Sequence, residues 1–439
     1  MKWSHFRSKR SSLFLGLFFL VFVPETSYAY LDPGSGNALV YLIISLAGAA
    51  LYFVKSAYYR IVRVFSSKST IDEKKELPSL ALFSEGPSYW PMFKPLVEEL
   101  LKRQIPFQYL SMDVRDPGLT IDDPKMNSCF LGFGSVAYPR LSSTKAKLLI
   151  VTTPNIGTPG YPVPRPKGVK ELIYVQHGIG DATYLKKGAL DHYDVDMEPG
   201  SWCEKAMREL EQKRGLSPKR FYAMGVLYLD GMIRECRERD CEEYREKRKR
   251  TILIAPSWGA KSCLHVHGTR FIDELLDAGY EVILRPHPQS FKFENVFITS
   301  VINHYKNRIH IDCSSNSVSS MLSAGMLISD ASGIRMDFAL TQSRPVLTLA
   351  VSKADLTSFE ADELGRCYDE EIAQKIGCVL QPGESKTIVA AVRKLLGDES
   401  MAKEIQTLFQ ELVVNQGCCA KAIVDWLESE MWLAIEDKE

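Results

Sequence analysis

The sequence has no net charge: 54 lysines and arginines balance 54 aspartates and glutamates. That balance excludes a dedicated nucleic-acid binder, which concentrates cations against phosphate backbones. There is no Walker loop, no GxGxxG after a strand and no GxSxG elbow, so the usual signatures of P-loop, dinucleotide-binding and α/β-hydrolase enzymes are missing. The ten cysteines are scattered, with no CxxC pair and no metal-ligand spacing. Such cysteines read as free thiols of a reducing compartment, and the adjacent Cys418-Cys419 reads as helix packing. Cys263, His265 and His267 lie close together, but no second cluster completes a metal site. Internal repeats and low-complexity tracts are lacking too.

What is present is ordinary globular material. Of 439 residues, 45% are apolar and 25% charged, which excludes wholesale disorder and a disulfide-rich miniprotein and suits two or three domains. The neutral average hides a split. Residues 1–70 carry eight basic residues against Glu25 and Asp32, a net +6, so the remainder carries −6.

Residues 1–29 have the form of a signal peptide or first membrane segment. Lys2, Arg7, Lys9 and Arg10 precede the apolar run Leu13–Val23, and Ser27-Tyr28-Ala29 is a small-x-small cleavage site. Residues 30–65 read as an anchor with a basic flank. The uncharged run Ala38–Val54 is near the lower length limit of a spanning helix, and Lys55, Arg60, Arg63 and Lys68 follow it. By the positive-inside rule the body is then cytoplasmic, at the inner membrane, whether the leader is cleaved or stays as a hairpin. The alternative is a secreted protein that packs Ala38–Val54 into its core.

Residues 66–77 read as a linker, after which short apolar runs alternate with amphipathic helices, the pattern of a parallel α/β fold. Strands are expected at Ser79–Phe83, Phe107–Ser111, Leu148–Thr152, Glu171–Val175 and Phe221–Met224. Helices are expected at Met92–Lys102 and Ser201–Arg214. The charge run 234–250 reads as a solvated connecting helix, because its signs alternate. The pattern restarts with strands at Thr251–Ala255, Glu281–Arg285, Ile309–Asp312, Met326–Ser329 and Val346–Leu349, and a helix at His267–Ala278. Two Rossmann-like domains, 78–233 and 251–439, would then face a cleft lined by loops at the carboxyl ends of their strands.

The residues with chemistry lie just beyond those strand ends. His177 sits between Gln176 and Gly178, and an imidazole there suits a general base. Arg285-Pro286-His287-Pro288 is a stiff loop whose Arg and His suit a pyrophosphate. Ser329-Asp330-Ala331-Ser332-Gly333 leads into a helix, whose N-terminus offers free N–H groups to an anion. A cap by Asp330 or Ser332 would look the same in sequence. Ala255-Pro256-Ser257-Trp258-Gly259 is a fourth such loop.

Together these loops resemble the CDP-glycerol glycerophosphotransferase family of teichoic-acid primases and polymerases, over roughly residues 170–430. Gln176-His177-Gly178 is similar to its His-Gly loop, Ala255-Pro256-Ser257-Trp258 to its Ala-Pro-Thr-Trp, and Arg285-Pro286-His287-Pro288 to its x-x-His-Pro. The most specific match is Ile328-Ser329-Asp330-Ala331-Ser332-Gly333 with Asp337-Phe338-Ala339, followed by Arg344-Pro345-Val346. Asn415-Gln416-Gly417 is similar to a loop that closes the nucleotide site. The chain departs from the pattern where Leu227 and Tyr228 replace a Pro-Arg pair and Gly333 replaces a second Ser. Residues 78–170 show no motif.

The resemblance implies a GT-B fold and transfer of glycerol phosphate from CDP-glycerol to a hydroxyl of an envelope polymer or lipid-linked acceptor, releasing CMP. It needs no cofactor and no tightly held metal. It makes His177 the base, Arg285, His287 and Ser332 the diphosphate contacts, and Ser257, Gly178, Gly333, Asp330 and Asn415 further substrate-binding residues. The competing readings are a glycosyltransferase or epimerase acting on a nucleotide sugar, and a non-catalytic glycan- or nucleotide-binding scaffold.

Overall fold

The computed structural model describes residues 79–436 except 315, 352–356 and 385–386. The leader, the Ala38–Val54 span and the 66–77 linker lie outside them. Among the described residues no helix is long and apolar enough to cross a membrane.

Seven parallel strands form the first sheet: β1 (Leu80–Ser84), β2 (Phe107–Ser111), β3 (Met126–Phe130), β4 (Lys145–Val151), β5 (Gly168–Val175), β6 (Val195–Glu198) and β7 (Arg220–Ala223). Their order is β3-β2-β1-β4-β5-β6-β7. Six more form the second: β8 (Thr251–Ala255), β9 (Glu281–Leu284), β10 (His310–Ile311), β11 (Met326–Ser329), β12 (Val346–Leu349) and β13 (Gly377–Leu380), in the order β10-β9-β8-β11-β12-β13. Both orders reverse direction after their first strand, the doubly wound pattern that opens a crevice at the carboxyl ends. The protein therefore has two Rossmann-like domains in a GT-B-like arrangement.

The central strands β1, β8, β11 and β12 are buried along their whole length, because helices cover both faces. Three strands are absent from the apolar pattern. β3 and β13 are mostly half-buried edge strands. β6 carries Asp196 and Glu198, buried on the face opposite Val195 and Met197. Burial pushes both carboxyls above the ordinary carboxylate range.

The charge run is not one helix over 234–250. Helix α1 (Leu227–Arg239) starts earlier, and a short helix, Glu242–Lys247, follows a break at Asp240. Its apolar first half explains the early start: Leu227 enters the first core, and Leu229, Ile233 and Cys236 enter the second. The last helix, α2 (Cys419–Glu436), lies in the segment expected to build the second domain, yet it packs against the first. Ile423, Val424 and Leu427 share a core with Leu80, Phe93 and Leu96. Asp230 of α1 holds it there, accepting the N–H groups of Cys419 at 2.9 Å and Ala420 at 2.8 Å.

A second tie joins the domains. Glu360 N–H donates to Leu185 O (2.9 Å) and Lys187 N–H to Ser358 O (3.0 Å). Arg214 pairs with Asp191, Glu360 and Glu363, and Trp202 stacks on Tyr368.

Candidate functional site

A cavity of ≈ 570 Å³ opens between the carboxyl ends of the two sheets. Six of the nine expected site residues line it: His177 and Gly178 after β5, Arg285 and His287 after β9, and Ser332 and Gly333 after β11. Three do not. The Asp330 side chain is fully buried and accepts the N–H groups of Ser257 (2.8 Å) and Cys263 (2.6 Å). It fastens the β11 loop to the β8 loop, so Asp330 and Ser257 shape the wall from behind. Asn415 sits at the junction of β7 and α1, where its side-chain amide donates to Met224 O at 3.2 Å. Its left-handed backbone (φ 50) turns the chain into α2, a turn that asparagine tolerates.

His177 lies two residues beyond the end of β5, whose last four residues are buried. Its backbone N–H donates to Gln176 Oε1 (2.9 Å), and its Nδ1 lies 3.2 Å from the Tyr174 hydroxyl. The protein packed around the ring disfavours its charged form and lowers its pKa, while Glu85 acts in the opposite sense. A neutral imidazole at neutral pH is the form that can take a proton.

Across the cavity, His287 Nδ1 accepts the Gln289 N–H at 3.1 Å. That bond leaves the neutral ring's proton on Nε2, so His287 offers the cavity a donor. Burial lowers its pKa as well. Beside it, helix α3 (Ile334–Gln342) opens toward the cavity without a side-chain cap. The Ser332 hydroxyl and the Gly333 and Ile334 amides can meet an anion, whereas the Ser332, Arg335 and Met336 N–H groups already donate to Asp330 O, Ser332 O and Gly333 O. Gly333 is unobstructed: a β-carbon there would meet nothing within 4 Å.

Arg285 faces the cavity wall but is not an uncommitted cation. Its Nη1 lies 2.5 Å from Asp312 Oδ2 and also reaches Ser314 Oγ at 3.3 Å. Burial would raise the Asp312 pKa, but hydrogen bonds from Ser314, Ser320 and Arg285 outweigh it and hold the group at about 2. No other lysine or arginine is among the lining residues. The site can therefore hold an anion mainly through amides, a hydroxyl and an imidazole N–H, with Arg285 as a partly neutralised charge.

The sequence reading missed Tyr228 and Asp337 as a pair. Both line the cavity, and the Tyr228 hydroxyl donates to Asp337 Oδ1. Burial pushes Asp337 up to about 6, against the opposing hydrogen bond from Tyr228. Position 228, where the resembling family carries arginine, thus points at a carboxylate. Asp337 was within sight in the Asp337-Phe338-Ala339 block, but nothing local in sequence joins it to residue 228. Tyr174 was also missed, since it looks like a plain strand residue, and Gln176 was read only as part of the loop around His177. The two histidines suggestive of metal diverge: His265 Nε2 meets Glu294 Oε2 at 2.9 Å, and His267 Nε2 meets Ala350 O at 2.6 Å.

No family model matches the chain, and no curated protein does. Solved structures do. The wall teichoic acid polymerase TagF, in a histidine variant soaked with CDPG, superposes with a TM-score of 0.56 at 16% identity, covering 89% of this chain and 99% of that one. TagF without that soak gives 0.55, also at 16% identity, covering 90% of this chain and 99% of that one. A candidate UDP-N-acetylglucosamine 2-epimerase from Listeria monocytogenes gives 0.53 at 12% identity, covering 81% of this chain and 97% of that one. Likeness at these identities shows a shared GT-B-like fold.

Proposed function

We propose that the protein is a membrane-anchored transferase that moves glycerol phosphate, or a related polyol phosphate, from a CDP-linked donor to an acceptor hydroxyl. The acceptor is an envelope polymer or a lipid-linked precursor met at the cytoplasmic face of the membrane. The reading is carried by one observation: His177 from the first sheet, and His287 with the start of α3 from the second, line the same cavity.

In this reaction the acceptor oxygen attacks the β-phosphorus. The bond from that phosphorus to the bridging oxygen breaks, CMP leaves, and the hydroxyl proton passes to His177. The His287 Nε2–H, the Ser332 hydroxyl and the Gly333 and Ile334 amides offset charge on the transferring phosphoryl group and the leaving phosphate. Positioning and charge stabilisation supply most of the rate in such transfers. The fold shared with TagF, whose variant was soaked with CDPG, supports a CDP-linked donor.

The test is ligand-dependent thermal stabilisation of the full chain by CDP and CMP against UDP and GDP, followed by transfer of labelled glycerol phosphate from CDP-glycerol. Selective stabilisation by cytidine nucleotides and labelled product are expected. Stabilisation by UDP, with turnover of a UDP-sugar, would establish the nucleotide-sugar reading instead.

A further inference from the structure

We propose that Tyr174 and Gln176 lock His177 in the Nδ1–H tautomer, leaving Nε2 as the ring nitrogen that takes the acceptor's proton. The available protons dictate the tautomer. The atom of Gln176 facing the His177 backbone N–H must be an acceptor, so the amide orientation with Oε1 at that position, 2.9 Å away, is required. The same Oε1 lies 3.1 Å from the Tyr174 hydroxyl and has no proton of its own to give. The phenol's single proton is therefore directed to Gln176. With that proton committed, the Tyr174 oxygen can only accept from His177 Nδ1, 3.2 Å away. Nδ1 must carry the hydrogen, and Nε2 keeps its lone pair.

The surroundings enforce this arrangement. Tyr174 and Gln176 are 0% and 4% exposed, so water does not compete for their bonds. Tyr174 packs edge-on against Tyr193 and pairs in register with Asp196 of β6. Burial, with Glu198 and Asp196 nearby, keeps the phenol protonated. When His177 takes the substrate proton, the new imidazolium still donates through Nδ1 to the Tyr174 oxygen, and no side chain need turn. Tyr174 and Gln176 are thus positioning residues. Their effect on turnover rests on His177 being the base, whereas the tautomer does not.

The test is the ¹⁵N spectrum of the full chain labelled at histidine, with His177→Gln identifying the signals of residue 177 among the eight histidines. The expected result is a protonated Nδ1 and an unprotonated Nε2. Tyr174→Phe should shift the ring toward Nε2–H and lower kcat by about tenfold to a hundredfold, at or below the 10²–10⁴ a positioned base contributes, with KM little changed. Its acid limb should move to lower pH, because the imidazolium loses an acceptor. Gln176→Leu should free the phenol proton to turn onto Nδ1, with the same tautomer shift. Gln176→Glu, which keeps an acceptor oxygen in place, should restore the tautomer.

A wild-type ring protonated at Nε2, or one still Nδ1–H in both Tyr174→Phe and Gln176→Leu, would overturn the proposal. The expected tautomer shifts in a protein that transfers nothing from CDP-glycerol would overturn the transferase reading and leave the tautomer assignment standing.

Discussion

The guanidinium of Arg285, a residue that lines the cavity, meets the Asp312 carboxylate at 2.5 Å. The pair is largely buried, with 13% and 9% of the two side chains exposed, so the cation is oriented but its charge is mostly offset. Asp312→Asn removes that offset and leaves Arg285 to act on whatever anion enters. Nucleotide diphosphates should then bind about threefold to tenfold tighter, the effect of roughly 1 kcal/mol from a partly screened charge. Unfolding stability should fall by about 3 kcal/mol, because a buried cation has lost its partner. Calorimetry with CDP and urea unfolding measure the two effects separately. Unchanged affinity in a folded variant would show that the Arg285 charge does not reach the ligand.

His177 and His287 should separate turnover from binding. His287→Ala removes an N–H expected to donate to a charged oxygen, which is worth about 1.5–3 kcal/mol, so CDP affinity should fall at least tenfold. His177→Ala should leave CDP affinity within about threefold while turnover falls by about 10²–10⁴, since a base acts in the transition state. Affinity lost in both variants alike would mean that both imidazoles contact the donor.

Burial of Asp337 makes stability depend on pH in a definite direction, and its contact with Tyr228 moderates the effect. The folded Asp337 pKa, at about 6, lies above that of the unfolded chain. Between roughly pH 4 and 6 the native state therefore binds the extra proton, and stability falls as pH rises through that window. Tyr228→Phe removes the opposing hydrogen bond, raises the pKa further and extends the fall above pH 6. Tyr228→Arg supplies a cation to the carboxylate, so the fall should flatten without a gain in CDP affinity. Urea unfolding at pH 5 and 7.5 measures the slope. A gain in CDP affinity in Tyr228→Arg would show that position 228 reaches the phosphates after all.

How much of this was legible in sequence depended on how local the cause was. β2, β8, β11 and β12 match their expected bounds, because strands buried on both faces read as apolar runs. β6 does not read that way, since its second face buries Asp196 and Glu198 in a polar environment that no local pattern reveals. The strand-end rule found His177, His287 and the start of α3, because topology places strand ends at the cavity. It could not say which side chains point in. Asp330 and Ser332 are two residues apart, yet Asp330 turns back to bond the β8 loop while Ser332 lines the cavity. The partner of Arg285 is 27 residues away and that of Tyr228 is 109 away, distances at which only the fold makes neighbours. The return of α2 to the first sheet is the same kind of fact.

Gly333 offers the most direct probe of whether a phosphate sits over α3. The residue has helical backbone angles (φ −58, ψ −25), so no special conformation demands glycine there. A β-carbon would enter open space on the cavity side. Gly333→Ser should therefore fold normally, with stability changed by no more than about 0.5 kcal/mol. The new hydroxyl joins that of Ser332 and the Gly333 and Ile334 amides. If the diphosphate is held there, CDP should bind about threefold to tenfold tighter, since hydrogen bonds to charged groups are worth about 1.5–3 kcal/mol before the cost of ordering the side chain. Cytidine, which has no phosphate, should bind no better. Equal gains for cytidine and CDP would place the nucleoside at the start of α3 and move the phosphates elsewhere in the cavity.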